Sequence, residues 1–295
     1  ALCLACICSL NLLVIYFTDK VLEIRGIYSY YLIILLIFSL NSYILLGFQY
    51  GPQILGITCL LGTAMGSILM CNNTSWFYFT ALAISGVITS YSEFGYYVFI
   101  IYCSIFLAYI VYTRKSGDTK KTFLLFMLTG ISSLVLCIPA VIKIINYYIY
   151  LLNAGKDSLN ADGWIIVHKT EVLSDLLGLS FSPNKDISFS FGLFGLIASF
   201  IIIIFMCHFG IQKLRSKIQI EKKLFILVGI VFAIMELAFA AVRFEYGEFK
   251  HIISIQPFAY MALAWAMQDN FLHDKQKNKA NFIALGVTLF IVLGN

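Results

Sequence analysis

In a chain as apolar as this one, the few ionisable and amide side chains within or beside apolar runs are the ones able to do chemistry. Glu236 is the one ionisable residue deep in such a run, Val231-Phe232-Ala233-Ile234-Met235-Glu236-Leu237-Ala238. Carrying a charge to mid-membrane costs at least about 2.5–3.5 kcal/mol on insertion scales. The carboxyl group must therefore be protonated, paired or facing a wet cavity. Arg243 follows seven residues later, on the same helix face and about 10 Å further along the axis. That is too far for direct contact unless the guanidinium reaches inward. A polar cavity entered from outside fits this spacing, and an internal hydrogen bond of structural use is the alternative.

The next cluster is Arg243-Phe244-Glu245-Tyr246-Gly247-Glu248-Phe249-Lys250-His251, expected as a loop between helices. Its basic residues suggest an anionic partner at membrane level. A lipid phosphate or pyrophosphate fits, because Arg presents a planar fork to phosphate oxygens and Lys a compact charge. Alternatively, Glu245 and Glu248 neutralise them in a solvated loop. His251 can assist, or be a surface residue beside Lys250. Gly247 permits a sharp bend, and Pro257 is expected to kink or restart the helix that follows.

Glu93 lies in Thr89-Ser90-Tyr91-Ser92-Glu93-Phe94-Gly95-Tyr96, a turn between two apolar runs. A carboxylate there either caps the following helix, since anions suit helix N-termini, or serves a site; both can hold together. Gly51-Pro52-Gln53-Ile54-Leu55-Gly56 opens another run. Proline is acceptable in a first helical turn, Gly56 allows close helix approach, and Gln53 has an amide for a sugar hydroxyl or a neighbouring helix. The four histidines show no pair at metal-ligand spacing. Cys3, Cys6 and Cys8 form a CxxCxC in a wholly apolar run, where a thiol packs as a small hydrophobe. Asn72-Asn73-Thr74-Ser75 formally matches a glycosylation acceptor, but the topology below places it on the cytoplasmic side. Neither GxSxG, HExxH, a P-loop nor a dinucleotide fingerprint occurs.

The elements that must position these residues follow from composition. The chain has 295 residues, 61% apolar and 12% charged, with a mean hydropathy of +0.91. Ordinary soluble domains are nearer half apolar and a quarter charged. The chain reads as a polytopic membrane protein; a soluble enzyme, a nucleic-acid-binding module and a disordered chain are excluded. Runs of roughly 20 apolar residues mark spans: 1–17, 28–46, 51–70, 76–91, 94–112, 122–142, 191–209, 224–242, 252–267 and 281–294. The expected fold is an all-α transmembrane bundle of about ten helices. Residues 1–295 form a single transmembrane domain, read as a fragment that begins and ends inside transmembrane helices. The connection 143–190 is expected to be an extracytoplasmic loop, with Trp164-Ile165-Ile166-Val167 lying along the membrane interface.

Basic residues orient such a bundle. With Thr113–Lys121 inside and spans alternating, 14 of the 20 Lys and Arg fall in cytoplasmic connections. Lys143, Lys156, Lys169, Lys185, Arg243 and Lys250 fall outside, four of them in the long loop, which counts little in this rule. The polar clusters around Gln53, Glu93 and Arg243–His251 then share the outer face.

Three of these features together resemble one family. Pro52-Gln53-Ile54-Leu55-Gly56 is similar to the PQxxG turn of bacterial multi-pass glycosyltransferases of the GT-C class. Tyr91-Ser92-Glu93 resembles their YPE turn, with Ser92 in place of the proline, and Arg243 with Tyr246 and Lys250 resembles their late R…Y…K loop. Order and spacing agree across residues 51–260. The resemblance implies an enzyme of the bacterial cytoplasmic membrane that takes a sugar from a polyprenyl-phosphate carrier on the extracytoplasmic face. It passes that sugar to a lipid- or polymer-linked acceptor, with membrane lipids as further partners and no nucleic acid. It also implies an acidic residue in the first outer loop, acting as general base or as ligand to a divalent metal, and that loop is expected upstream of Ala1. Arg243, Lys250, Tyr246, His251, Glu93, Gln53 and Glu236 are then the candidate substrate-binding residues. Three rivals stay open: a cell-envelope polysaccharide polymerase or ligase, a non-enzymatic transporter of lipid-linked saccharide, and a structural membrane subunit.

Overall fold

A computed structural model describes residues 2–37, 51–91, 94–114, 119–159, 176–177, 180–184, 187–190, 192–242, 245–272 and 285–288. Ten helices are labelled among them: α1 (Leu2–Phe17), α2 (Ile27–Ile37), α3 (Gly51–Met70), α4 (Phe77–Ser90), α5 (Gly95–Thr113), α6 (Thr119–Leu136), α7 (Ile138–Leu159), α8 (Gly192–Arg215), α9 (Ile220–Val242) and α10 (Glu245–Leu272). A π turn, Thr18–Leu22, extends α1. The described residues are thus mainly helical, with one antiparallel hairpin of β1 (Ser180–Asn184) and β2 (Ile187–Ser190), which pairs Phe181 with Phe189. Five stretches among the described residues are long and apolar enough to cross a membrane: Ala5–Leu22, Pro52–Met70, Gly95–Thr113, Thr119–Leu136 and Leu193–Arg215. Most of the expected last span, 281–294, lies outside the described residues.

Three sequence expectations need revision. The run 122–142 does not continue as one helix. α6 ends at Leu136, the chain turns at Cys137, and α7 starts with Pro139 in its first turn, where a missing N–H costs nothing. The connection 143–190 is not plain loop either, since α7 fills its first part and the β hairpin its last; Trp164–Val167 lies outside the described residues. Finally, Glu245–Lys250 is helical, so Gly247 sits within α10 instead of bending a loop, and α10 runs on through Pro257 without restarting.

The chain divides into two compact units. The first takes in residues 1–10, 48–155 and 218–231, and the second 11–47, 156–217 and 232–295.

In the first unit, α3 packs along α4 and against α5, and α4 against α6. Glycine makes the α3–α4 approach possible: a Cβ on Gly66 would stand 2.6 Å from Thr80 Oγ1, and one on Gly86 2.6 Å from Cys59 Sγ. Buried hydroxyls bond to their own helix, Thr63 to the Cys59 carbonyl at 2.9 Å and Ser67 to that of Thr63 at 2.6 Å. Between elements, Tyr102 donates to the Phe126 carbonyl and Tyr109 to that of Cys71, both at 2.6 Å. Asn73 acts structurally, since its side-chain oxygen accepts from the Ser75 N–H at 2.9 Å and caps the short turn Thr74–Trp76.

In the second unit, α10 packs against α2 and α8. The turn Glu23–Gly26 is held from the far end of α10. Gln268 Nε2 donates to the Glu23 carbonyl at 2.8 Å, and its Oε1 accepts from the Arg25 N–H at 2.5 Å. Glu23 (φ 56°) and Gly26 (φ 65°) both occupy the left-handed region that turns the chain back. Lys213 at the end of α8 pairs with Asp269 at 2.7 Å, and Phe209 meets Trp265 edge to face. Three connections that the charge count assigns to one face of the membrane therefore meet at one end of this unit.

Candidate functional site

Glu236 and His251 are brought together in the second unit. Phe232, Glu236 and Phe239 recur at i, i+4 and i+7 and so share one face of α9. Against that face stands the His251 ring, fully buried. Its Nε2 lies 2.8 Å from the Phe232 carbonyl and 3.7 Å from Glu236 Oε2. Phe232 and Phe239 flank the imidazole, with ring centroids at 5.7 and 5.5 Å. A carbonyl only accepts, so this geometry places a hydrogen on Nε2. Both Glu236 carboxylate oxygens are buried, although its side chain as a whole is 17% exposed.

His251 is therefore a core residue and not a surface one, and among the described residues the basic group beside Glu236 is its imidazole. The His251 ring, near the start of α10, thus meets the stretch of α9 that carries Phe232 and Glu236. Chemically, the arrangement is a buried acid–base pair in an apolar surround, able to hold one proton and to resist holding a net charge.

The first unit holds a second cluster. A Cβ on Gly56 would stand 2.8 Å from the Tyr91 Cβ and 3.1 Å from the Phe94 ring, so the opening turn of α3 and the turn after α4 lie against each other. Tyr91 and Phe94 pack with centroids 4.7 Å apart, and the Phe94 N–H bonds the Tyr91 carbonyl at 3.0 Å. Two motifs separated by some 40 residues of sequence thus meet. Gln53, one turn before Gly56, is 6% exposed, and its Nε2 has no hydrogen-bond partner among the described residues. A buried amide left so costs about 1–3 kcal/mol.

Of the remaining candidates, Glu93 and Arg243 lie outside the described residues. Tyr246 and Lys250 belong to the first two turns of α10 by backbone, but their side chains lie outside the described set. Four contributors were missed from sequence: Phe232 and Phe239, which wall in His251; Gln268, which holds the Glu23–Gly26 turn; and Asn11, whose Oδ1 is buried without a partner among the described residues. The i, i+4, i+7 spacing of Phe232, Glu236 and Phe239 was the available signal for the first two. Among the described residues, no three His, Cys, Asp or Glu side chains gather where a metal ion would sit.

No protein-family model, curated protein or solved structure matches this chain.

Proposed function

We propose that the chain is a membrane glycosyltransferase that takes a sugar from a polyprenyl-phosphate carrier at the extracytoplasmic face and passes it to a lipid- or polymer-linked acceptor. The observation carrying this reading is the contact between the Pro52–Gly56 and Tyr91–Phe94 turns, with the Gln53 amide buried one turn away. Two features chosen from sequence for their likeness to one enzyme class are spatial neighbours, and beside them is a hydrogen-bond donor that a sugar hydroxyl would satisfy.

In such a transfer the acceptor oxygen bonds to the anomeric carbon while the bond from that carbon to the phosphate oxygen breaks. The phosphate leaves with the electron pair, and the acceptor hydroxyl gives up its proton. The leaving phosphate needs fixed positive charge, the role assigned to Arg243 and Lys250. Tyr246, one turn before Lys250, is assigned to the same headgroup. Gln53 and Glu93 orient sugar or acceptor. Glu236, kept in the apolar span by His251, lines the groove of the carrier. The acceptor proton passes to a general base that the resemblance implies to be an acidic residue and that is not assigned among these side chains.

The test is transfer from a panel of radiolabelled polyprenyl-phosphate hexoses and pentoses by the protein in proteoliposomes. Arg243→Ala and Lys250→Ala should each abolish transfer while leaving the protein inserted, and Gln53→Ala should slow it roughly tenfold. Unchanged turnover in the two cation variants would remove the phosphate assignment. A transporter of lipid-linked saccharide is the second reading, favoured by the proton-holding Glu236–His251 pair. Movement of the labelled carrier lipid between leaflets without sugar transfer would select it.

A further inference from the structure

We propose that α7, Ile138–Leu159, lies in the plane of the membrane along the outer headgroup boundary, and that the surface it presents is made for lipid. The proposal is independent of the transferase reading, because the depth of a helix in a bilayer needs no substrate.

The residues of α7 fall into two stripes. Ile138, Ile142, Ile145 and Ile149 recur at i, i+4, i+7 and i+11, one helical face, and each is more than half exposed. Lys143, Asn146, Tyr150 and Asn153 form an adjoining stripe, also exposed. Among the described side chains, protein covers neither stripe. An isoleucine edge beside an amide and ammonium edge suits the boundary between acyl chains and headgroups. It does not suit a crossing, which would set Asn146 near the centre of the hydrocarbon. Tyr147, Tyr148 and Tyr150 add the residue type that favours headgroup level.

Topology requires the same answer. α6 and α8 each bring a stretch long enough to cross. Arg114, Lys115, Lys120 and Lys121 precede α6 or open it, and Lys213, Arg215 and Lys217 end or follow α8. By the charge rule both basic ends are cytoplasmic, so the chain leaves α6 and enters α8 on the outer side. The number of crossings between them must be even. Residues 160–191 carry Asp162, Lys169, Glu171, Asp175, Lys185 and Asp186, and hold no apolar run of spanning length. A crossing by α7 would have no return. α6 and α7 are interrupted at Cys137, with Pro139 in the first turn of α7, and this interruption is where an emerging chain would turn along the surface.

The experiment uses the whole chain in nanodiscs of phosphatidylcholine and phosphatidylglycerol. Nitroxide labels are placed singly at 142, 145, 149, 143, 146 and 153, with the native cysteines replaced. Depth is read from collisions with oxygen and with a water-soluble nickel chelate. The isoleucine positions should be oxygen-accessible at one common shallow depth, and positions 143, 146 and 153 nickel-accessible. A depth that changes by about 10 Å between 142 and 149, as in a spanning helix rising about 1.5 Å per residue, would overturn the proposal. So would labels at 142, 145 and 149 shielded from both reagents, which would mean that protein covers them. A label that prevents insertion is replaced by reading the other positions of its stripe.

Discussion

The span within α3, Pro52–Met70, is 78% buried, whereas that within α8, Leu193–Arg215, is 17% buried, although α8 is the more apolar of the two. In water that order would be reversed. In a bilayer, lipid is as good a neighbour for isoleucine as protein is, so hydrophobicity alone draws no helix inward. In α3, Gly56 and Gly66 sit where a Cβ would stand under 3 Å from a neighbouring side chain, so neighbours approach there and gain packing contacts, whereas the small residues of α8, Gly195, Ala198, Ser199 and Gly210, flank a block of large ones. α8 carries Phe194, Ile197, Phe200, Ile201 and Ile204, large side chains each more than half exposed. The packed region positions polar groups; the outward region meets solvent lipid.

The sharpest way to break this contrast is to give α3 a side chain of the α8 kind. Gly66→Leu drives a branched chain into Thr80 and Phe79 and should cost about 3 kcal/mol or more. Ile204→Leu on α8 should stay within about 0.5 kcal/mol. Thermal unfolding in the same bicelles measures both, and equal losses would show that small residues do not set burial here. Next comes the buried pair. Glu236→Gln and His251→Ala should each lower the proposed transfer by up to about 10², the effect of leaving a buried polar group without its partner where the carrier binds. The double variant should be little worse than either single one, because the two act as a unit. Additive losses would show that they do not.

Smaller effects lie at the other end of α10. Gln268→Ala leaves the Glu23 carbonyl and the Arg25 N–H without the bonds they now make, and should cost roughly 2 kcal/mol. An unchanged midpoint would mean that the left-handed turn holds itself. Least of all, Asp269→Asn removes a partly exposed ion pair with Lys213. That should cost no more than about 1 kcal/mol, shrinking further as salt is raised.

Much of the architecture was legible in the residues. The described parts of all ten apolar runs are mainly helical, because an apolar backbone must satisfy its own hydrogen bonds and the helix is the local way to do so. Boundaries set by chemistry and not by hydropathy were harder. Hydropathy does not divide the apolar run around Pro139, and the charge of Glu245–Lys250 does not by itself exclude a helix. The Gln53 and Glu236 positions were found, since a polar group in an apolar run stands out. Their surroundings were not, since His251, beside Glu236 among the described residues, is 15 residues away in sequence and becomes its neighbour only in the folded chain.

Sequence alone determined that the chain is a helical membrane protein and which residues are costly to place there. Those are properties of each side chain against its solvent, and they need no knowledge of the neighbours. Tertiary structure decided the pairing of Glu236 with His251, the meeting of the Gly56 and Tyr91 turns, and the hold of Gln268 on a turn more than 240 residues earlier. Each depends on helix register and on close approach between segments distant in sequence, which hydropathy does not encode.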